Sequence, residues 1–375
     1  MKASICLKNG RVINPSSGVD KVADISVAEN KVKWGSYKAD YYVDVSNCLV
    51  VPGLIDYHSH FFQSGWEQSL PLDLMFAQGV TGAVDAGSAG YENFDCLIQN
   101  VTSCSRMHTK TYLNISPLGM IDPDQHTFCE EKVLACLEKY RDDILGLKLL
   151  VSKGNAGEGE NGLKPLEKVL AFIDHNNLNV RVCVHTTDCP VPAERLADML
   201  RPGDVFCHCF QGEANSLLTK DGRVSDGIDA ARKRGILFDA APGRGNFSIT
   251  VARAAMSAGF YPDIIGSDIT MATANKRGHC KNLPYIISKF LQLGLPLNKA
   301  IACCTSAPAA AMNEEMHLGT LSENSEANIT VLKVVESDCH FTDRYGHSVP
   351  GSKILMPLMT ICSGNIVYCQ NGFDD

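Results

Sequence analysis

The sequence predicts an α/β protein: a distorted (β/α)8 barrel carrying a small β-sandwich built from both chain ends. Three observations carry that expectation. Short alternating segments fill the first ~50 residues and return over the last ~60. Between them, apolar runs alternate with helical stretches over ~260 residues, the rhythm of a (β/α)8 barrel. No glycine-rich dinucleotide fingerprint follows the first of these runs, as a doubly wound open sheet would require; His58-Ser59-His60 stands there instead. The expected division is residues 1–51 and 318–375 for the β-domain and 52–317 for the barrel.

At the N-terminus, segments 4–8, 10–14, 23–27, 31–35 and 41–44 alternate apolar and polar residues. Asn9-Gly10, Pro15-Ser16-Ser17-Gly18 and Glu29-Asn30 separate them as hairpin signals, so a small antiparallel sheet is expected. Barrel strands are expected at 51–55, 80–84, 112–115, 144–151, 180–184, 205–207, 236–238 and 264–266. Helical stretches at 130–140, 165–176, 191–200 and 225–234 lie between them. Segments 327–332 and 365–368 return to strand texture and join the N-terminal sheet.

The chain's 375 residues suit a large barrel with an appendage. Its apolar share of 45% is ordinary, and no run approaches the ~20 apolar residues that cross a bilayer. A net charge of −8 without a basic cluster argues against nucleic-acid and anionic-membrane partners and leaves a small-molecule substrate, with homo-oligomerisation open. Met1-Lys2-Ala3-Ser4-Ile5 leads into strand-like sequence rather than a signal core, so a cytoplasmic protein is expected. Many of the sixteen cysteines sit in apolar runs, as Cys183, Cys303, Cys304 and Cys362 do, and read as reduced and buried. Cys207-His208-Cys209 resembles a zinc knuckle, but neighbours on a strand point to opposite faces.

Catalytic groups of such barrels project from the C-terminal strand ends. Those ends offer His58 and His60, Lys148, His185, His208 and Asp268. His58 and His60, two apart on an extended segment, face one side and can reach one ion. Lys148 interrupts the apolar run Leu145-Gly146-Leu147-Lys148-Leu149-Leu150-Val151, where a buried ammonium is costly. It escapes by losing its proton, by meeting a carboxylate, or by reacting with CO2 to give a metal-binding carbamate. Each residue has a plainer reading: a hydrogen-bonded structural histidine, a helix N-cap for Asp268, a surface position for Lys148. Five strand ends carrying nitrogen or oxygen donors at the same height favour a metal centre. Lys153 is the rival bridging lysine, but it opens the glycine-rich stretch 154–162 and needs no modification in water.

Val51-Pro52-Gly53-Leu54-Ile55-Asp56-Tyr57-His58-Ser59-His60 resembles the first-strand signature of the amidohydrolase superfamily, metal-dependent hydrolases on a distorted barrel. Leu318-Gly319-Thr320-Leu321 with Ala327-Asn328-Ile329 resembles the exit of such chains into the flanking β-domain, with Asn328 in place of the usual acid. Gly146–Lys148, Leu200–Phe210 and Ser288–Gly294 are similar to segments of the dihydroorotase-related deacetylases. The resemblance implies two divalent ions, zinc above all. His58, His60 and Asp268 would hold the inner ion, His185 and His208 the outer, and a carbamate on Lys148 would bridge them. A bridging hydroxide would be the nucleophile and Asp268 its base.

The leading functional reading is therefore a metallohydrolase, a deacetylase acting on an amide or ester. A cyclic amidohydrolase of the dihydroorotase kind is the first alternative, although Phe61-Phe62 follow His60 where those enzymes usually place an arginine. An adenine deaminase-like enzyme is the second, although Val184-His185-Thr186-Thr187 lacks the glutamate such enzymes use. A metal-free scaffold would show substitutions among the six positions, and none is seen. Stretches 154–162 and 272–281 are expected to wall the mouth as mobile loops. Arg244 and Asn246, in the loop after the seventh strand, are the candidate substrate-binding residues, Arg244 gripping a carboxylate or else pairing with Asp239 or Glu213. Related deacetylases tend to carry a histidine where this loop has Pro242.

Overall fold

The computed structural model describes residues 4–274 and 280–373. In chain order its strands are β1 (Ile5–Asn14), β2 (Val19–Ala28), β3 (Lys31–Trp34), β4 (Tyr41–Asp44), β5 (Cys48–Pro52), β6 (Leu54–Ser59) and β7 (Val80–Asp85). Then follow β8 (His108–Asn114), β9 (Ile144–Leu150), β10 (Arg181–His185), β11 (Val205–Cys207), β12 (Leu237–Asp239), β13 (Ile329–Thr342), β14 (Ser348–Cys362) and β15 (Asn365–Cys369).

Both chain ends build one eight-stranded sheet, β1–β5 with β13–β15. It is mixed rather than purely antiparallel: β1 runs antiparallel to β2 but parallel to β4 and β5. Asn9-Gly10 does not turn a hairpin. It is a bulge inside β1, where the pairing register with β2 slips between Leu7 and Gly10. Asn9 takes the left-handed conformation at φ 64°, and a Cβ on Gly10 would meet the side chains of Val50 and Val45. The bulge divides the β1 edge, so that β4 pairs with its first half and β5 with its second. Side chains from β1 to β5, β13 and β14 share one apolar cluster, so the sheet curls over its own core.

The expected first barrel strand is divided at Gly53. Val51 and Pro52 pair with β13, whereas Leu54 begins the barrel against Val80. Gly53 N–H donates to the Asn328 carbonyl at 2.8 Å, and its missing side chain admits Thr81. Strands β6 to β12 follow one another in order, all parallel. The eighth expected strand, 264–266, forms no ladder. It closes the barrel through single parallel bridges, Asp239 to Ile264 and Ser59 to Ile269.

Helices cover the barrel as their apolar spacing demands. In Glu130–Lys139 the buried residues are Val133, Cys136 and Leu137, with Glu130 and Glu131 in the first turn and Lys139 in the last, which suits the helix dipole. Asp226–Arg234 is capped by Ser225, whose hydroxyl accepts from Ile228 N–H, and ends at Gly235 with φ 97°. No described helix is long and apolar enough to cross a membrane.

On β9, Leu147 and Leu149 pack outward in the cluster shared with these helices, while Lys148 points the other way, beside Cys183 of β10. The period-two alternation of a strand thus puts the lysine on the barrel's inner face.

Candidate active site

The C-terminal strand ends open on one cavity of about 310 Å3. Its wall contains His58, His60, Lys148, His185, His208 and Asp268 together, six residues drawn from across the barrel. Cavities of this size take small molecules.

The histidines are oriented from behind. His58 Nδ1 lies 2.7 Å from Asp239 Oδ2, His60 Nδ1 lies 2.9 Å from Ser88 Oγ, and His208 Nδ1 lies 2.8 Å from the Ala241 carbonyl oxygen. A carbonyl only accepts, so His208 carries its proton on Nδ1 and offers the Nε2 lone pair; an ionised Asp239 does the same for His58. The supports are themselves fixed. Asp239 Oδ1 accepts from Gly266 N–H at 2.9 Å, and Asp85 Oδ1 accepts from Ser88 N–H at 2.6 Å. His185 packs edge-on against His208 with ring centroids 4.5 Å apart. Burial pushes His58 and His185 well below the usual imidazole range and His208 down to about 3, which keeps these rings in the neutral form a metal needs.

Lys148 is 2% exposed, with Nζ 3.4 Å from His58 Nε2 and 3.9 Å from Cys183 Sγ. Among the described residues no carboxylate forms an ion pair with it. Burial favours its neutral form, while Cys183, Cys207, Asp268 and Asp239 draw its titration upward on balance. Its stem passes over Gly87, φ 93°, where a Cβ would stand 2.6 Å from the lysine's own Cβ and Cγ.

Asp268 is held in the left-handed region at φ 51°, and its N–H donates to the His58 carbonyl at 2.6 Å. Its Oδ2 accepts from Asn246 Nδ2 at 2.8 Å, and Oδ1 stands 3.5 Å from His60 Nε2. Burial would raise this carboxyl, but the His60 hydrogen bond and the neighbouring His58 and His208 hold it well below the carboxylate range. His208 at φ 59° and Ala241 at φ 31° are strained in the same sense. Such backbone costs about 1–3 kcal/mol per residue and persists where the surroundings over-determine it, which is commonest at functional sites.

The donor set suits a divalent metal. His58, His60 and Asp268 bring one ligand atom each within 4.8 Å of one another. A second triplet, His58, Cys207 and Asp239, meets the same distance, but there His58 Nδ1 and Asp239 are already spent on each other. Imidazoles backed on Nδ1 and open on Nε2 are the usual arrangement around a bound cation.

Arg244 and Asn246 also line the cavity. Neither alternative partner engages Arg244: Glu213 pairs with Arg344 and Asp239 with His58. Asn246 is tied on both sides, accepting from Thr187 Oγ1 at 2.9 Å and donating to Asp268. Lys153 pairs with Asp188 at 3.3 Å away from the cavity wall. The 154–162 stretch does not wall the cavity mouth. It folds into two helical turns, Lys153–Ala156 and Gly159–Leu163, tied to Asp188 and Pro190, and lines no part of the cavity. Of the 272–281 stretch, Ala272 lines the cavity and 275–279 lie outside the described residues. Sequence reasoning gave Asp239 no part behind His58, though it too ends a barrel strand; Ser88 left no comparable signal, nor did Trp66, which packs edge-on against His60 with ring centroids 5.0 Å apart, or Arg344, which also lines the cavity.

No protein-family model matches the chain. A deacetylase of Agrobacterium fabrum is 29% identical over 319 residues, covering 81% of this chain and 75% of the relative. A deacetylase of Enterococcus faecalis is 26% identical over 381 residues, covering 98% of this chain and 99% of the relative. The crystal structure of a dihydroorotase superposes with a TM-score of 0.87 at 26% identity, covering 98% of each chain. Barrel, terminal sheet and relatives together define a hydrolase of a metal-dependent class. The chain belongs to the amidohydrolase superfamily.

Proposed function

We propose that the protein is a binuclear metal-dependent hydrolase that cleaves the amide or ester bond of a small acylated substrate bearing a carboxylate. In this reading His58, His60 and Asp268 would hold one ion and His185 and His208 the other, with Lys148, converted by CO2 to a carbamate, as their further ligand. Zinc suits the mixed imidazole and carboxylate set. The observation that carries the reading is the backing of His58, His60 and His208 on Nδ1, with Lys148 Nζ 3.4 Å from His58 Nε2. A carbamate also accounts for a buried lysine without a carboxylate partner. When bound, the ions supply an acidified water and polarise the scissile carbonyl.

The chain's own residues do the rest. Asp268 takes the proton of the attacking water and delivers it to the leaving nitrogen or oxygen, and Asn246 Nδ2 fixes the carboxylate for both transfers. Arg244, on the cavity wall and two residues before Asn246, grips the substrate carboxylate through its planar fork. The 52–317 segment is the catalytic unit in this proposal, and the burial of Cys183, Cys303, Cys304 and Cys362 suits a reducing, cytoplasmic setting.

The names of the relatives support deacetylation first, and the dihydroorotase likeness keeps ring opening of a cyclic amide as the second reading. Phe61 and Phe62, 1% exposed each, leave no cation after the histidine pair for that second reaction. Metal analysis of the purified chain is expected to give two ions per chain, and metal-free, folded protein would sink the reading in favour of a scaffold. A screen of N-acetyl amino acids, acetylated hydroxy acids, cyclic imides and aminopurines separates the chemistries. Arg244→Met is expected to weaken anionic substrates about tenfold or more and to spare neutral ones; equal loss across all classes rejects the clamp.

A further inference from the structure

The cavity carries a second arginine that comes from the other sheet. Between β13 and β14 the chain turns through Asp343, Arg344, Tyr345, Gly346 and His347, and Arg344 lines the cavity with Arg244. The turn is anchored to the barrel. Asp343, 4% exposed, accepts from Tyr345 N–H and His347 N–H on one oxygen and from Ile249 N–H on the other, at 2.9, 3.0 and 2.9 Å. Ile249 opens the helix that follows the Arg244 loop. One buried carboxylate therefore fixes both the hairpin tip and that loop, and holds Arg344 against Gly245.

Arg344 Nη1 donates to the Gly245 carbonyl at 3.2 Å and stands 3.4 Å from Glu213 Oε1. Glu213 Oε1 also accepts from Tyr345 Oη at 3.0 Å. Nη1 alone of the guanidinium donates a hydrogen bond among the described residues, so the remaining edge is available to a ligand. The guanidinium lies against this loop at contact distance: a Cβ on Gly245 would stand 3.5–3.8 Å from Arg344 Nη1, Cδ and Cζ. The exposed pairing with Glu213, 46% and 31% exposed, is of the kind that contributes little and rearranges readily.

Among the described residues, and beyond the six of the proposed metal centre, the charged side chains on the cavity wall are Arg244 and Arg344, with no carboxylate between them. Glu213 stands outside that wall. Two guanidinium groups on the wall of one small cavity favour a ligand with two anionic groups, because each planar fork offers its own pair of donors to a carboxylate. We infer that Arg344 is a specificity-determining residue that, with Arg244, selects an acylated dicarboxylate over an acylated monocarboxylate. This inference rests on the acyl-hydrolase reading above and narrows its substrate class.

The test uses the metal-loaded full chain with N-acetylaspartate and N-acetylglutamate against N-acetylleucine and N-acetylglutamine. Wild type is expected to prefer the dianionic pair. Arg344→Met is expected to raise KM for the dianionic pair about tenfold more than for the monoanionic pair, with kcat changed much less, and Arg344→Lys to restore part of the loss. Glu213→Gln breaks the same latch without removing the cation. It is expected to shift both classes alike, which a purely structural role of Arg344 would also predict for Arg344→Met. Equal effects of Arg344→Met on both classes, or a wild-type preference for monoanions, overturns the inference while leaving the hydrolase reading intact. If wild type hydrolyses none of the acylated compounds, the hydrolase reading fails instead. Calorimetric binding of glutarate then decides the inference alone: wild type must bind about tenfold more tightly than Arg344→Met, and equal binding overturns it.

Discussion

The floor and the rim of the cavity are built on different principles. Floor residues sit on barrel strands or at their ends, and three of the histidines have a support: Asp239 behind His58, Ser88 behind His60, the Ala241 carbonyl behind His208. Rim residues come from loops and from a hairpin of the other sheet, and their charges are exposed and paired loosely, as Arg344 and Glu213 are. The floor is therefore preorganised for one kind of chemistry, whereas the rim is free to choose what reaches it. Disturbing the floor should stop turnover, and disturbing the rim should change which substrate is turned over.

The largest effect is expected at Asp268. Asp268→Asn keeps the shape and removes the proposed base, so kcat should fall by about 10²–10⁴ with the fold and most of the metal retained. Near-normal turnover in the metallated variant would show that another group moves the proton. Gly243→Ala reaches the same carboxylate from outside. A Cβ there would collide with Asp268 Oδ2 at a backbone φ of 47°, and small displacements of a reacting group cost about 10² in rate. The floor account predicts that this remote-looking methyl approaches the damage of Asp268→Asn; an activity loss below about twofold would mean that the position of Asp268 is not critical.

Asp239→Asn tests support rather than contact. The amide cannot hold His58 Nδ1–H as an ionised carboxylate does, so metal affinity should drop about 10–100-fold while kcat at saturating metal falls less. Competition against a chelator reads the affinity directly. Unchanged affinity would mean that Asp239 only packs, as its complete burial would allow.

The same division explains what the sequence revealed. Lys148, the four histidines and Asp268 were legible because strand ends are recognisable from apolar runs, and a barrel brings strand ends together whatever the loops do. All six line one cavity. Asp239 follows the same rule, yet its part behind His58 went unread because one aspartate after a short run looks like any other. Arg344 was out of reach: it approaches Gly245 across 99 positions of sequence, through a hairpin whose second strand, β14, carried no expectation. Local signals misled where a contact between sheets overrode them. Asn9-Gly10 has hairpin chemistry, but Val45 and Val50 press against it and β1 continues through a bulge. The closing segment 264–269 has the apolar content of a strand, but it meets its neighbours through single bridges at a place where Gly266 must clear the His58 side chain.

The smallest effect is expected farthest from the floor, at the opposite end of the barrel. His108, the first residue of β8, places Nε2 3.0 Å from Glu326 Oε1, and His317 Nδ1 lies 3.3 Å from Glu326 Oε2. The Ser363 hydroxyl also donates to this carboxylate. Burial alone would raise Glu326, but the Ser363 hydrogen bond and the facing His108 hold it below the ordinary 4.5. A carboxyl whose folded pKa is depressed binds fewer protons in the folded chain than in the unfolded one. Its contribution is complete above the ordinary value and disappears as pH falls through the folded value. Glu326→Gln should therefore lower the melting temperature by roughly 2 °C or less near neutrality, and the gap from wild type should close as pH drops below the ordinary carboxylate range. Activity should be untouched throughout, because this cluster joins the barrel's N-terminal end to the terminal sheet, where residues serve stability rather than chemistry. A gap that stays constant down to about pH 3 would mean that Glu326 acts through packing, and a fall in kcat at neutral pH would mean that the floor depends on the far end of the barrel after all.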